Sequence, residues 1–290
     1  MTALSLSGAL VDAAWLATHL DNPDLVVLDA SWHMPAAQRS GESEWRQQRI
    51  TGAQFFDFDQ EIADHSSALP HMLPSAKQFS EQVSALGISN QQTIVIYDSS
   101  GIFAAPRAWW MFKAMGHERV AVLDGGLPNW LALGLPVDNM PPTPAVPSNF
   151  TAQLQPHWIA DANQVQAALT QTNYRILDAR SRERFSGQAA DPRAGVRAGH
   201  MPGAMCLPFG ELLQQGQFLP KEQLAARLAP LLSPEQKLIC SCGSGVTAAI
   251  IALAAYVIGH KHVAVYDGSW TEWGGSAHLP VVTDETPSCA

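Results

Sequence analysis

Positive charge is scarce in this chain: 17 Lys and Arg stand against 26 Asp and Glu, a formal charge of −9. Binding nucleic acid or an anionic membrane needs a basic face, so neither is expected, and an anionic ligand has to be met by locally placed arginines. Cysteine is scarce too. Its four copies in 290 residues (Cys206, Cys240, Cys242, Cys289) form no CxxC pair and are too few for a disulfide framework, which predicts a reducing, cytoplasmic setting. Cys240 and Cys242 make a CxC, but no second Cys/His pair at zinc-like spacing accompanies them, so no metal is expected. Long apolar runs are missing as well. Nothing approaches the ~20 residues that span a bilayer, and no Lys or Arg precedes Arg39, so neither a secretory nor a mitochondrial leader is predicted.

Apolar residues are plentiful, at 47% of the chain, enough for two ordinary cores. The sequence is in fact written twice. Val120-Ala-Val-Leu-Asp-Gly-Gly126 returns as Val263-Ala-Val-Tyr-Asp-Gly-Ser269, Gly116-His117 as Gly259-His260, and Trp130 as Trp273, all at an offset of 143. Earlier in each half Val27-Leu-Asp-Ala30 matches Ile176-Leu-Asp-Ala179, and Arg49-Ile-Thr-Gly-Ala53 matches His200-Met-Pro-Gly-Ala204. A period this long signals duplication of a whole domain. Five prolines between Leu135 and Ser148 (Pro136, Pro141, Pro142, Pro144, Pro147) read as a semi-rigid linker. The expected domains are 1–140 and 150–290, joined by a Pro-rich 141–149. In each, short apolar runs (25–28, 93–97 and 120–123; then 175–177, 237–240 and 263–266) alternate with helical patterns. That predicts an α/β fold with a mainly parallel sheet flanked by helices.

Ligands of such sheets bind beyond the carboxyl ends of the strands. Cys242 stands at one such end, opening Cys242-Gly243-Ser244-Gly245-Val246-Thr247 between the strand-like Lys237 to Cys240 and an Ala/Ile-rich helical stretch. Loop N–H groups and the positive end of a helix converge there, as a sulfur nucleophile requires. The offset of 143 puts Ser99 at the corresponding place of the first half, so one copy holds the thiol and the other lacks it. Cys240, two residues back on the strand, is expected deeper and structural.

A duplicated α/β domain with a cysteine loop in the second copy alone resembles the tandem rhodanese-type sulfurtransferases, over essentially the whole chain. Within them the motif Cys242-Gly-Ser-Gly-Val-Thr247 is similar to the loop of 3-mercaptopyruvate sulfurtransferases; the thiosulfate enzymes typically have Arg and Lys at its second and third positions. The resemblance implies two tandem rhodanese-like domains, the N-terminal one without a nucleophile. It implies a Cys242 persulfide formed from 3-mercaptopyruvate, loop residues Gly243, Gly245, Val246 and Thr247 around the sulfur, and Arg184 and Arg193 on the substrate. Ser244, His71 and Asp59 match a proposed proton relay. The sulfur would pass to cyanide or a thiol, such as a dithiol protein like thioredoxin, with no cofactor involved. His71 and Asp59 each have a plain alternative, as a turn histidine before Pro74 and as a turn cap beside Asp57. His200 and the Trp109-Trp110 pair read as structural.

Three other functions are open to this pattern. A thiosulfate:cyanide sulfurtransferase would share fold and persulfide but use another donor. A cysteine phosphatase needs Cys-x5-Arg, and the sixth residue after Cys242 is Ala248, which argues against it. A non-catalytic rhodanese-like binding module would transfer no sulfur.

Overall fold

A computed structural model describes residues 4–141 and 145–283; Pro142, Pro144 and Cys289 lie outside the described residues. The chain forms two compact units. The first takes the chain up to His65 with Leu73–Gln155 and Gln215–Phe218; the second takes Ser66–Met72, Pro156–Gln214 and the chain from Leu219 onward. The expected linker is only partly a linker. Val137–Asp138 pairs antiparallel with Arg49–Ile50, and the backbone N–H groups of Ser148, Gln153 and Gln155 donate to Ser84, Met115 and Ala114 of the first unit. Phe150 is buried against Phe79 and Phe112. The second unit therefore resumes at Pro156, later than residue 150.

Each unit is built on a five-stranded sheet, and the two sheets have the same order. In the first, the neighbours run Leu10–Val11, Val120–Leu123, Thr93–Tyr97, Leu25–Asp29, Gln54–Phe55, all parallel. In the second they run Ile159–Ala160, Val263–Tyr266, Lys237–Ser241, Tyr174–Asp178, Met205–Cys206, again all parallel. The central strands are the apolar runs read from the sequence. The outer strands, two residues each, are too short for any periodicity to reveal.

Helix starts follow local chemistry. Asp12, Ser40, Ser75 and Ser181 each accept a backbone N–H three residues on, and Asp161 with Gln164 completes a reciprocal capping box. The helices Ala105–Ala114 and Ala248–Val257 have no consistent polar face, and all ten residues of the first and the first eight of the second are buried. Trp109 and Trp110 are core residues, as read. The repeated tryptophans behave alike: Trp130 donates to the Pro136 carbonyl at 2.9 Å and Trp273 to the Pro280 carbonyl at 2.7 Å.

The copies differ in how they treat one buried aspartate at the end of the second-position strand. Asp178 is paired with Arg180 at 2.7 Å. Its counterpart Asp29 has only hydroxyl and amide donors, including both the amide and the hydroxyl of Ser31. Burial pushes the Asp29 carboxyl up to about 6. The native state then holds a proton that the unfolded chain has released above its ordinary value of 3.8, so stability falls as pH rises from about 4 to 6 and the cost is complete above that. A shift of this size is worth about 3 kcal/mol. Asp29→Asn should remove that pH dependence. Urea unfolding of variant and wild type at pH 4.5 and pH 8 should show the variant relatively more stable at the higher pH; an equal difference at both would refute the assignment.

Candidate functional site

Cys242 follows the strand Lys237–Ser241 and is buried, 2% exposed. Its loop is tied down from one side by the start of the helix Ser269–Gly275. The Cys242 N–H donates to Ser269 Oγ at 3.2 Å, and Ser269 in turn donates to the Tyr266 carbonyl. The Cys242 carbonyl accepts from the Trp270 N–H at 3.0 Å, and the Gly243 carbonyl from both the N–H and the hydroxyl of Thr271. A trans peptide points its N–H opposite its C=O. Holding these two carbonyls on the helix therefore turns the Gly243 and Ser244 N–H groups the other way. Ser269 and Thr271 went unnoticed in the sequence, although the repeat held a signal. Ser269 replaces Gly126, both have positive φ (49° and 51°), and a serine there requires a compensating contact.

The loop's counterpart in the first unit shows what this geometry binds. Strand register aligns Tyr97 with Ser241, since Tyr97 pairs with Asp29 and Ser241 with Asp178. The Leu127 N–H donates to the Asp98 carbonyl as Trp270 does to that of Cys242. Asp98, then, is the structural equivalent of Cys242. This corrects the sequence expectation of Ser99: the offset is 143 at Val120 but 144 across this strand, because one residue of loop length separates them. The Asp98 carboxylate accepts N–H bonds from Ser100, Phe103, Ala104 and Ala105, at 2.8–2.9 Å. The loop is an anion cradle filled by its own side chain. Counted from the strand, Ser244 corresponds to Ser100; counted from the helices Ala105–Ala114 and Ala248–Val257, whose offset is 143, Val246, Thr247 and Ala248 correspond to Phe103, Ala104 and Ala105, so the loop of Cys242 is one residue shorter. Gly101 and Gly245 take positive φ at the same point of each loop.

Two arginines meet this loop. A Cβ on Gly243 would lie 3.2 Å from Arg193 Nη1 and 3.4 Å from Arg184 Nη2, so a side chain there would crowd both guanidinium groups by a few tenths of an ångström. Arg184 is set by the helix Arg182–Ser186, capped by Ser181. Arg193 Nη2 donates to Ser244 Oγ at 3.0 Å. Between the arginines stands Asp191, which the sequence reading missed. Its carboxylate, 2% exposed, takes Arg184 Nη2 at 2.5 Å, lies 3.7 Å from Arg193 Nη1 and accepts the Arg193 N–H at 3.0 Å. Arg184 Nε and Arg193 Nη1 are buried without a hydrogen-bond acceptor. Buried N–H groups left so are costly.

The remaining expected residues stand as follows. His71 is buried, takes φ 61°, and lies in the segment Ser66–Met72 that groups with the second unit. Asp59 belongs to the first unit, where its carboxylate accepts from the Gln60 side chain and its N–H donates to Asp57. Val246 and Thr247 complete the loop before the helix that begins at Ala248. His200 is structural: its ring stacks on Phe185 at 3.8 Å and its Nδ1 lies 2.8 Å from the Phe185 carbonyl, steadying the helix that positions Arg184. Cys240 is fully buried, and burial, with Cys242 nearby, pushes its thiol well above the ordinary range.

Comparison with known proteins agrees with this architecture. The rhodanese-like domain model matches twice, at residues 12–133 and 161–276. A human 3-mercaptopyruvate sulfurtransferase is 40% identical over 94% of this chain and 94% of its own length. A rat thiosulfate sulfurtransferase is 41% identical over 91% of each. A crystal structure from Escherichia coli, described as a 3-mercaptopyruvate sulfotransferase with the rhodanese fold, superimposes with a TM-score of 0.83 at 34% identity, covering 91% of this chain and 99% of that one. Two matching sheets, a cysteine loop in the second alone and relatives of this extent together establish that the chain belongs to the rhodanese-like family, as a tandem two-domain member.

Proposed function

We propose that this protein is a sulfurtransferase that takes sulfur from 3-mercaptopyruvate through a Cys242 persulfide and releases pyruvate. The observation that carries the persulfide is the filled cradle around Asp98. Counting bonds from Cα, an aspartate Oδ and the outer sulfur of a cysteine persulfide stand at the same place: Cβ–Cγ–Oδ against Cβ–Sγ–S. The loop that satisfies a carboxylate oxygen in one copy has its counterpart, one residue shorter between Gly245 and the helix, around the terminal persulfide anion in the other.

Donor choice rests on Gly243. Overall identity does not decide it, since relatives named for either donor match about equally. A cationic side chain at position 243 would crowd and repel the two guanidinium groups; glycine leaves them to grip a ketoacid's carboxylate and carbonyl as planar forks. The Cys242 sulfur attacks the donor's thiol sulfur, an S–S bond forms, and the donor's C–S bond breaks with its electron pair left on carbon as pyruvate enolate. The proton lost by the donor's thiol ends on that carbon. Loop N–H groups stabilise the persulfide and the arginines the enolate. We assign the proton's transit to Ser244, whose Oγ accepts from Arg193 and keeps its own hydrogen to donate, and carry His71 and Asp59 with it as the relay that the resemblance implies.

A thiolate acceptor, such as a small thiol or a thioredoxin-like dithiol protein, or cyanide, then takes the outer sulfur and returns Cys242. Among the described residues Cys206, Cys240 and Cys242 form no disulfide; the setting proposed is a reducing, cytoplasmic one. Among the described residues no helix is long and apolar enough to cross a membrane. The test is incubation with 3-mercaptopyruvate and no acceptor. Intact mass should rise by one sulfur, peptide mapping should place it on Cys242, and pyruvate should appear in one-to-one amount with enzyme. Pyruvate formed with no added sulfur, or sulfur mapped to Cys240 or Cys206, would overturn the reading.

A further inference from the structure

Asp191 has no part in the chemistry just described, yet its carboxylate is buried against both arginines. We infer that Asp191 is a positioning residue that sets donor specificity, offsetting one of the two guanidinium charges so that the pocket presents a single net positive charge. Two arginines alone would offer two. A ketoacid with a neutral thiol and one carboxylate matches the observed balance; thiosulfate, a dianion, matches the unbalanced pair. The inference rests on the mercaptopyruvate reading above and names the residue that enforces it.

Geometry supports a directing role as well as a charge. Asp191 occupies Arg184 Nη2 and the Arg193 backbone N–H, and lies within ion-pair distance of Arg193 Nη1. Arg184 Nε and Arg193 Nη1 have no hydrogen-bond acceptor, and Gly243 faces both guanidinium groups. Specificity here follows from a repulsive element, a fixed carboxylate close to where a second negative charge on the donor would sit.

Asp191→Asn keeps the shape and deletes the charge. The ratio of kcat/KM for 3-mercaptopyruvate to that for thiosulfate should fall by about tenfold or more, the effect of one unit charge at short range in a partly solvated pocket. The change should include a lower KM for thiosulfate. Asp191→Glu keeps the charge and should hold the ratio within about threefold of wild type, even where both constants drop. Proportional loss with both donors in the asparagine variant would mean a merely structural residue and overturn the inference. If the asparagine variant does not fold, the glutamate variant decides, because a tenfold shift of its ratio would exclude charge as the cause and an unchanged ratio would support it. Wild type is measured beside them. Should it fail to use 3-mercaptopyruvate at all, the donor reading itself falls; should it prefer that donor while Asp191→Asn scales both constants equally, only the role of Asp191 falls.

Discussion

A Cys242→Ser protein folds normally and loses sulfur transfer by a factor on the order of 10⁴ or more, since no other group replaces a deleted nucleophile. Folding survives because Cys242 holds the structure through its backbone, the N–H on Ser269 and the carbonyl on Trp270, and serine retains both. A hydroxyl in the loop also finds N–H donors, so its burial is not penalised. Chemistry is lost because oxygen at its ordinary acidity is a poor nucleophile toward sulfur, and an O–S adduct lacks the transferable outer sulfur of a persulfide. Neither neighbour can substitute. Cys240 is buried with its thiol shifted upward, and Cys206 lies on the outer strand Met205–Cys206, two strands away from Lys237–Ser241. Pyruvate release measured in single turnover, with thermal melting as the control for folding, checks this. Wild-type rates from the variant would sink the Cys242 mechanism.

The second large effect is expected at the arginines. Truncating one member of a buried charged contact costs about 2–5 kcal/mol, so Arg193→Gln and Arg184→Gln should each lower kcat/KM for 3-mercaptopyruvate by about 30- to 5,000-fold. Arg193 should be the worse loss. It holds Ser244 as well as facing Gly243, so its removal should depress kcat along with raising KM, whereas Arg184→Gln should act mainly on KM. Lysine at either position restores charge without the planar fork and should rescue only in part. Asp191 loses a partner in both variants and a buried carboxylate is left under-compensated, which should also lower the melting temperature. Steady-state kinetics of the four variants separates these effects. Normal specificity constants in both glutamine variants would show that the donor's carboxylate is held elsewhere.

How much of this could be read beforehand depends on the range of the interaction involved. The apolar runs at 25–28, 93–97, 120–123, 237–240 and 263–266 became strands within a residue or so, because a strand buried on both faces is written as a continuous apolar run. The two-residue outer strands could not be seen, being made by pairing alone. The Pro-rich segment was read from composition, yet Phe150 and the amides of Ser148, Gln153 and Gln155 attach it to the first unit, which no composition reveals. The equivalence of the two loops was one residue off for a similar reason: an offset measured at Val120 and Val263 does not carry across a connection that differs in length. Strand register does carry it, and it identified Asp98.

Cys242 and its Gly-rich turn were determined by the sequence alone, since a nucleophile, the glycines that let the loop turn and the helix that follows are all local. So was the duplication, whereas Arg184 and Arg193 became candidates only through the family resemblance. Tertiary structure decided what those arginines become. Arg193 reaches Ser244 from 51 positions away, a contact that exists only because parallel crossovers bring their loops to the same end of one sheet, and Asp191 comes to stand between the two guanidinium groups. The physical reason is that identity and backbone conformation are encoded residue by residue, whereas a net charge in a pocket is the sum of groups that only folding assembles.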